Sequence, residues 1–138
     1  MPSAAPRVLL VMPEQWPRAL LRAALREAGY DALGAPGLSG ALRYRAAAPE
    51  RGPVRLVVID QTALGDPNAG RQLAALTSRH GGPELVLLAK GGPGAPLPPA
   101  ARDVGWRRIV RRPVSIAELV DAVRTALPLP PEGVRPLD

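Results

Sequence analysis

The stretch that decides the fold is Val54-Arg55-Leu56-Val57-Val58-Ile59-Asp60. Its centre is apolar without a break, and a short continuous apolar run is typical of a strand that is buried on both faces. Strands of that kind occur in parallel sheets whose two faces are covered by helices. The run ends in a single carboxylate, so the segment predicts a central parallel strand with Asp60 at its carboxyl end.

Strands and helices alternate on both sides of this segment. Short apolar runs predict further strands at 7–11, 30–35, 84–89 and 106–113. Apolar residues at helical spacing predict helices at 16–28, 39–48, 68–79 and 115–127. The last helix opens with Ser115 and Glu118 at the spacing of a capping box. This alternation predicts an α/β fold with a doubly wound, five-stranded parallel sheet.

The length and composition exclude several classes of protein. The chain has 138 residues, of which 46% are hydrophobic, and this suits one domain with one core. It has no cysteine and one histidine, which excludes disulfides, thiolate zinc sites and cysteine nucleophiles. No segment has the pattern of a membrane span or a secretory signal, so we expect a cytoplasmic protein without membrane contact.

The ends of the chain differ in composition from the segment between them. We expect 1–6 to be a disordered N-terminus, 7–127 to form the domain, and 128–138 to be a Pro-rich tail or linker. A further Gly/Pro-rich run at 90–99 is incompatible with a helix and predicts a loop.

The charge is basic and comes almost entirely from arginine. Lys and Arg number 18 against 12 Asp and Glu, a formal net charge of +6. Four of the arginines cluster on the last predicted strand, at Arg107, Arg108, Arg111 and Arg112. A basic cluster suits a solvated strand, an acidic partner or nucleic acid. No stretch interleaves bases with aromatic residues, which argues against nucleic acid.

Taken in order, these segments resemble a response-regulator receiver domain, the phospho-accepting module of two-component signalling. The resemblance covers about residues 7–127 and rests on the first strand, on Leu21, Leu25, Gly29 and Tyr30, on the strand ending at Asp60, on 105–114, and on the last helix. It implies a flavodoxin-like strand order of 2-1-3-4-5, with Asp60 as the phospho-acceptor. The Gly/Pro run falls on the family's fourth helix, which we expect to be shortened or replaced by a loop.

The chain departs from the family at positions that do chemistry. The family ends its first strand in two acidic residues that hold Mg²⁺, and here those positions are Met12 and Pro13. Neither supplies a hard oxygen ligand, and Glu14 would point the other way, so we expect no Mg²⁺ site and no other cofactor. The family's phosphoryl-binding hydroxyl falls on Leu88, and its aromatic switch falls on Ile109.

The phosphoryl-contacting lysine of the family falls on Arg112, which is followed by Pro113. The resemblance implies a cis peptide bond between these two residues. Asp60 is either a phosphorylation site or an acid left at a strand end. Phosphoryl transfer depends on positioning and charge neutralisation, so the changed positions favour the second alternative. In that case Asp60 pairs with Arg112 and mimics one fixed signalling conformation.

These observations predict a degenerate pseudo-receiver that is not an enzyme and that acts by protein–protein docking. Its partner would be a histidine kinase, a phosphotransfer protein or an output protein, and a homodimer is a further alternative. The alternatives are a receiver that is still phosphorylated on Asp60 and a basic module associated with nucleic acid.

The candidate partner surface comprises Trp106, Arg107, Arg108 and Arg111. Trp106 either anchors a partner or packs into the space left by the lost helix. Two further aromatic residues, Trp16 and Tyr44, are predicted to pack on helix faces.

Overall fold

The computed structural model describes residues 5–129, which form a single sheet covered by helices on both faces. The strands are β1 (Arg7–Val11), β2 (Asp31–Ala35), β3 (Ala47–Ala48), β4 (Gly52–Asp60), β5 (Glu84–Ala89) and β6 (Arg108–Arg111). The α-helices are α1 (Gln15–Glu27), α2 (Leu38–Ala41), α3 (Ala69–Arg79) and α4 (Ile116–Ala126). Two 3₁₀ turns, Gln61–Leu64 and Pro99–Ala101, follow β4 and precede β6.

The strand order is β2-β1-β4-β5-β6, and all of these neighbours are parallel. The two-residue β3 pairs antiparallel with β4 outside this series. Without β3 the order is 2-1-3-4-5, which confirms the predicted fold class. The carboxyl ends of β1, β4, β5 and β6 lie along one side of the molecule, called here the carboxyl end of the sheet.

Side chains of β4 alternate between two hydrophobic cores, because successive residues of a strand face opposite sides of the sheet. Val57 and Ile59 pack with α2 and α3, while Leu56 and Val58 pack with α1 and α4. All four side chains are completely buried. The central strand is therefore covered on both faces, as its unbroken apolar run predicts.

The prediction for the segment after β2 is wrong. A helix was expected over 39–48, but α2 forms a single turn, and Ala47–Ala48 is strand β3. The chain there lies beside β4, with the Val54 amide donating to the Ala46 carbonyl at 3.2 Å. Backbone pairing with β4 therefore overrides the weak helical pattern of this segment.

The two aromatic residues that were expected to pack on helix faces behave differently. Tyr44 lies beyond the end of α2, so its predicted place on a helix face is wrong, but its side chain is half-buried against the core and its hydroxyl donates to the Gly34 carbonyl at 2.7 Å. Trp16 is 72% exposed, so the prediction for it is wrong. The reason is that α1 turns Leu21 and Leu25 toward the sheet, and Trp16 lies on the opposite side of the helix.

A loop with one 3₁₀ turn connects β5 to β6, which confirms that the fourth helix of the family pattern is replaced. Gly91 has a φ of 77°, and a Cβ there would lie 2.9 Å from the Ala95 Cβ, so this bend needs a glycine. The missing helix leaves a groove of about 860 Å³ between the loop and α3.

The predictions for the chain ends fall mostly outside the described residues. Within them, the Pro6 carbonyl accepts a hydrogen bond from the Asp31 amide, and Leu129 packs against the core beneath α1 and α4. Across residues 5–129, no helix has the length and apolar character needed to cross a membrane.

Candidate functional site

Asp60 is the last residue of β4, at the carboxyl end of the sheet, and it is only 1% exposed. One of its oxygens, Oδ1, accepts hydrogen bonds from the Thr62 amide at 2.9 Å and the Thr62 hydroxyl at 2.8 Å. Asp60 thereby caps the 3₁₀ turn that follows it. Both bonds reach the same oxygen, so they hold Oδ1 toward the turn.

The other oxygen of Asp60 is held by Arg112. The Arg112 Nη2 lies 2.5 Å from Asp60 Oδ2, which confirms the predicted ion pair. Arg112 follows β6, and its amide donates to the Ala89 carbonyl at 3.0 Å, so its position is fixed against β5. The Arg112–Pro113 peptide bond is cis, as the resemblance implies. The pair thus joins the residues after β4 and β6 across the intervening β5.

The end of β1 presents a cation in place of the family's acidic pair. Met12 is buried and Pro13 is exposed. Nη1 of Arg18, from α1, donates to the Met12 carbonyl at 2.6 Å. Glu14 lies exposed just before α1, and its side chain makes no capping bond there.

This donor set does not fit Mg²⁺, which needs several hard oxygen ligands in near-octahedral geometry. Asp60 is the single acid among the residues that end β1, β4, β5 and β6, and its two oxygens already accept hydrogen bonds. Within residues 5–129, no group of three or more His, Cys, Asp or Glu residues is placed to hold a metal ion. The guanidinium groups of Arg18 and Arg112 lie at this end of the sheet, on the Met12 carbonyl and on Asp60 respectively.

The remaining family positions carry apolar side chains. Leu88 is buried and lies beside Asp60 in the register of β4 and β5. Ile109 lies on β6 and is 38% exposed. A hydroxyl does reach the carboxylate, but it comes from Thr62, in the 3₁₀ turn that follows Asp60.

Sequence reasoning missed Thr62 and Arg18. Thr62 stands two residues after Asp60, the spacing of a side chain that caps its own turn, and this signal could have found it. Arg18 reaches back from α1 to the carbonyl of Met12, and no local pattern in the sequence marks that contact.

The four residues of the candidate partner surface differ in their exposure. Trp106 is half-buried against the core, and its indole nitrogen donates to the Ala101 carbonyl at 2.9 Å. Of the two alternatives for Trp106, the structure shows the packed one. Arg107 and Arg108 are exposed, while Arg111 is half-buried and donates to the Gly92 carbonyl at 3.2 Å.

Comparisons with known proteins identify the fold. No protein-family model matches the chain, and no curated protein matches it in sequence. Solved structures do match. The signal receiver domain of an HD domain-containing protein from Pseudomonas fluorescens Pf-5 is 26% identical, with a TM-score of 0.68 over 89% of this chain and 94% of that one.

Two more distant matches agree with the first. HP1043, an orphan response regulator of H. pylori, is 18% identical, with a TM-score of 0.66 over 91% of this chain and 99% of that one. The chemotaxis protein CheY4 of Vibrio cholerae is also 18% identical, with a TM-score of 0.66 over 90% of this chain and 100% of that one. The chain therefore has the fold of a response-regulator receiver domain, and the predicted resemblance is confirmed.

Proposed function

We propose that this chain is a receiver-like signalling domain of a two-component or phosphorelay pathway, which docks to a partner protein without Mg²⁺-dependent phosphorylation. The receiver fold supports the pathway. The single observation that carries the mechanism is the Asp60–Arg112 ion pair, because it uses the carboxylate oxygen that is free of Thr62.

The pair supplies internally the charge balance that the family obtains from a metal ion. A carboxylate that is 1% exposed is unstable without a compensating charge, and the guanidinium of Arg112 provides one. Phosphoryl transfer to Asp60 would require Oδ2 to leave Arg112, and residues 5–129 place no cluster of carboxylates beside it to hold Mg²⁺. The acid therefore acts as a structural group that positions the residues after β4 and β6.

Docking then depends on a surface that is present in the resting state. Asp60 and Arg112 hold the loops in one arrangement, so the partner meets one conformation without a chemical signal. The proposed contact residues are Arg107, Arg108 and Arg111, and the neighbouring Trp106 packs against the core.

A capture experiment tests this function. The immobilised protein is exposed to extract from its source, with and without Mg²⁺ and acetyl phosphate, beside the variant R107E/R108E. We expect a partner that binds equally under both conditions and is lost from the variant. A partner that binds only after phosphodonor treatment would overturn the proposal in favour of phosphorylation on Asp60. Equal capture by the variant would show that Arg107 and Arg108 do not belong to the docking surface.

A further inference from the structure

Strand β6 lies at the edge of the sheet and pairs with β5 alone. Side chains of a strand alternate between faces, so Ile109 and Arg111 share the face from which the fourth helix is missing, and the exposed Arg107 immediately precedes β6. Ile109 is 38% exposed on that face, whereas Val110 packs against the core on the other side. The unpaired backbone edge of β6 and the face that carries Ile109 are thus both accessible.

The opposite edge strand, β2, is blocked by side chains. Arg22 Nε donates to the Ala32 carbonyl at 3.1 Å, and the Tyr44 hydroxyl donates to the Gly34 carbonyl at 2.7 Å. An added strand would have to displace both bonds. In the part of the chain from 5 to 129, no side chain hydrogen-bonds to the backbone of Arg108–Arg111. Of the two edge strands of the parallel series within residues 5–129, β6 is therefore the one that offers backbone groups to another chain without such competition.

The charge on β6 selects the kind of chain that can pair with it. Arg107, Arg108 and Arg111 form no ion pair with any acid among the described residues. A second copy of β6 would place arginines near arginines, and like charges opposite each other destabilise a strand pair. Acidic side chains would be attracted, and the exposed Ile109 side chain between Arg107 and Arg111 adds an apolar contact.

We propose that β6 binds an extended acidic segment of a partner protein as an added strand. Glutamate or aspartate side chains of the segment lie near Arg107, Arg108 and Arg111, and an apolar side chain lies on Ile109. Backbone hydrogen bonds give affinity and the side chains give specificity, as in other cases of strand addition. The inference deepens the proposed docking function and rests on it.

A synthetic peptide tests the inference on the whole chain. The probe is a fluorescent peptide of about seven residues, a usual strand length, with valine at the position facing Ile109 and glutamates facing the arginines. One control peptide has the same sequence with alternate backbone nitrogens methylated, and another has lysine in place of glutamate. Binding is followed by anisotropy, and amide hydrogen exchange at 108–111 reports strand pairing.

We expect the glutamate peptide to bind and to slow exchange of the β6 amides. R107E/R108E should weaken binding by about tenfold or more, because two exposed ion pairs are lost and repulsion replaces them. The matched variant R26E changes an exposed arginine on α1 and should leave binding unchanged. Urea unfolding of both variants establishes that they are folded.

Three outcomes would overturn the inference. Equal binding of the methylated peptide would show charge attraction without strand pairing. If a single-stranded oligonucleotide binds more tightly than the peptide, and R107E/R108E also abolishes that binding, the arginines bind nucleic acid instead. Absence of peptide binding would reject an acidic segment at β6. The assay contains neither Mg²⁺ nor phosphodonor, so its failure is distinct from a failure of the proposed function, which a phosphoryl adduct on Asp60 would reveal.

Discussion

Two Arg–Asp pairs lie at opposite ends of the sheet and differ in geometry. At the carboxyl end, Arg112 and Asp60 are 2.5 Å apart, and the second oxygen of Asp60 is bound by Thr62. At the amino end, Arg7 Nε and Asp31 Oδ2 are 3.7 Å apart, beyond hydrogen-bonding distance. Arg7 and Asp31 lie on neighbouring strands in register, whereas β5 lies between Asp60 and Arg112.

The two pairs therefore differ in role: Arg7 and Asp31 support the sheet, whereas Asp60 and Arg112 position loops. Arg7 also donates to the Gly52 carbonyl at 3.0 Å, so its side chain connects β1, β2 and the start of β4. Its loss should weaken the whole fold. Asp60 and Arg112 act on segments that leave the sheet, so their loss should release the loops at a smaller cost in global stability.

The largest effect should come from Arg7→Met. Arg7 is 4% exposed, and removing it leaves the Gly52 carbonyl without this donor and Asp31 with the exposed Arg51 as its one remaining ion-pair partner among the described residues. We expect the free energy of unfolding to fall by about 3 kcal/mol, as for other broken buried pairs. The matched control is Arg51→Met, because Arg51 also lies 3.7 Å from Asp31 but its side chain is 53% exposed. Its loss should cost less than about 1 kcal/mol in urea unfolding. Equal effects of the two variants would contradict the assigned role of Arg7.

A smaller effect is expected for Asp60→Asn. The amide can still accept from Thr62, but Arg112 loses its counter-ion, and water can partly solvate a guanidinium whose side chain is 30% exposed. We expect a loss of about 1–2 kcal/mol, together with faster amide exchange in the segments after β4 and β6.

Asp66→Asn is the control for that variant. Asp66 Oδ1 also accepts from an amide two residues on, that of Asn68 at 2.7 Å, but Asp66 lies in an exposed loop and has no arginine partner among the described residues. Its stability should change by less than about 0.5 kcal/mol. If exchange at Arg112 is the same in both variants, the ion pair does not position these loops.

The smallest effect concerns acid stability at the amino end. Burial lowers the pKa of His80, and the nearby Arg7 and Arg79 act in the same direction, while the backbone of Ala46 opposes them. The unfolded chain therefore binds a proton on His80 at higher pH than the folded chain. Stability from this group is present above about pH 6.5 and is lost as the pH falls through the folded pKa.

Urea unfolding across this pH range, for the natural chain and for His80→Gln, measures that contribution. The variant should show a flatter dependence of stability on pH between about 6.5 and 5, where the carboxylates contribute less. Parallel curves for the two proteins would show that His80 takes up its proton equally in both states.

Much of the fold could be predicted, because its signals are local and repeated. The apolar run of β4 and the capping box of Ser115 and Glu118 both appear in the structure. The failures occur where the sequence carries no clear periodic signal. Helical spacing alone does not decide which face of α1 Trp16 occupies, and the structure leaves this side chain exposed. A two-residue strand such as β3 is too short to produce a periodic pattern.

The site could be predicted only in part. The order of motifs brought Asp60 and Arg112 together, although they are 52 residues apart in sequence. The contact of Arg18 with the Met12 carbonyl depends on the angle between α1 and β1, which the sequence pattern does not specify. The packing of Trp106 likewise depends on the path of the loop that replaces the fourth helix.

The most direct measurement of the central claim is intact mass spectrometry after incubation with acetyl phosphate, with and without Mg²⁺, on the natural chain and on Asp60→Asn. A receiver domain that has the acidic pair serves as the positive control. The ion pair between Asp60 and Arg112 predicts no phosphoryl adduct on this chain under either condition. A Mg²⁺-dependent adduct on the natural chain that is absent from Asp60→Asn would contradict the account and establish a working phosphorylation site.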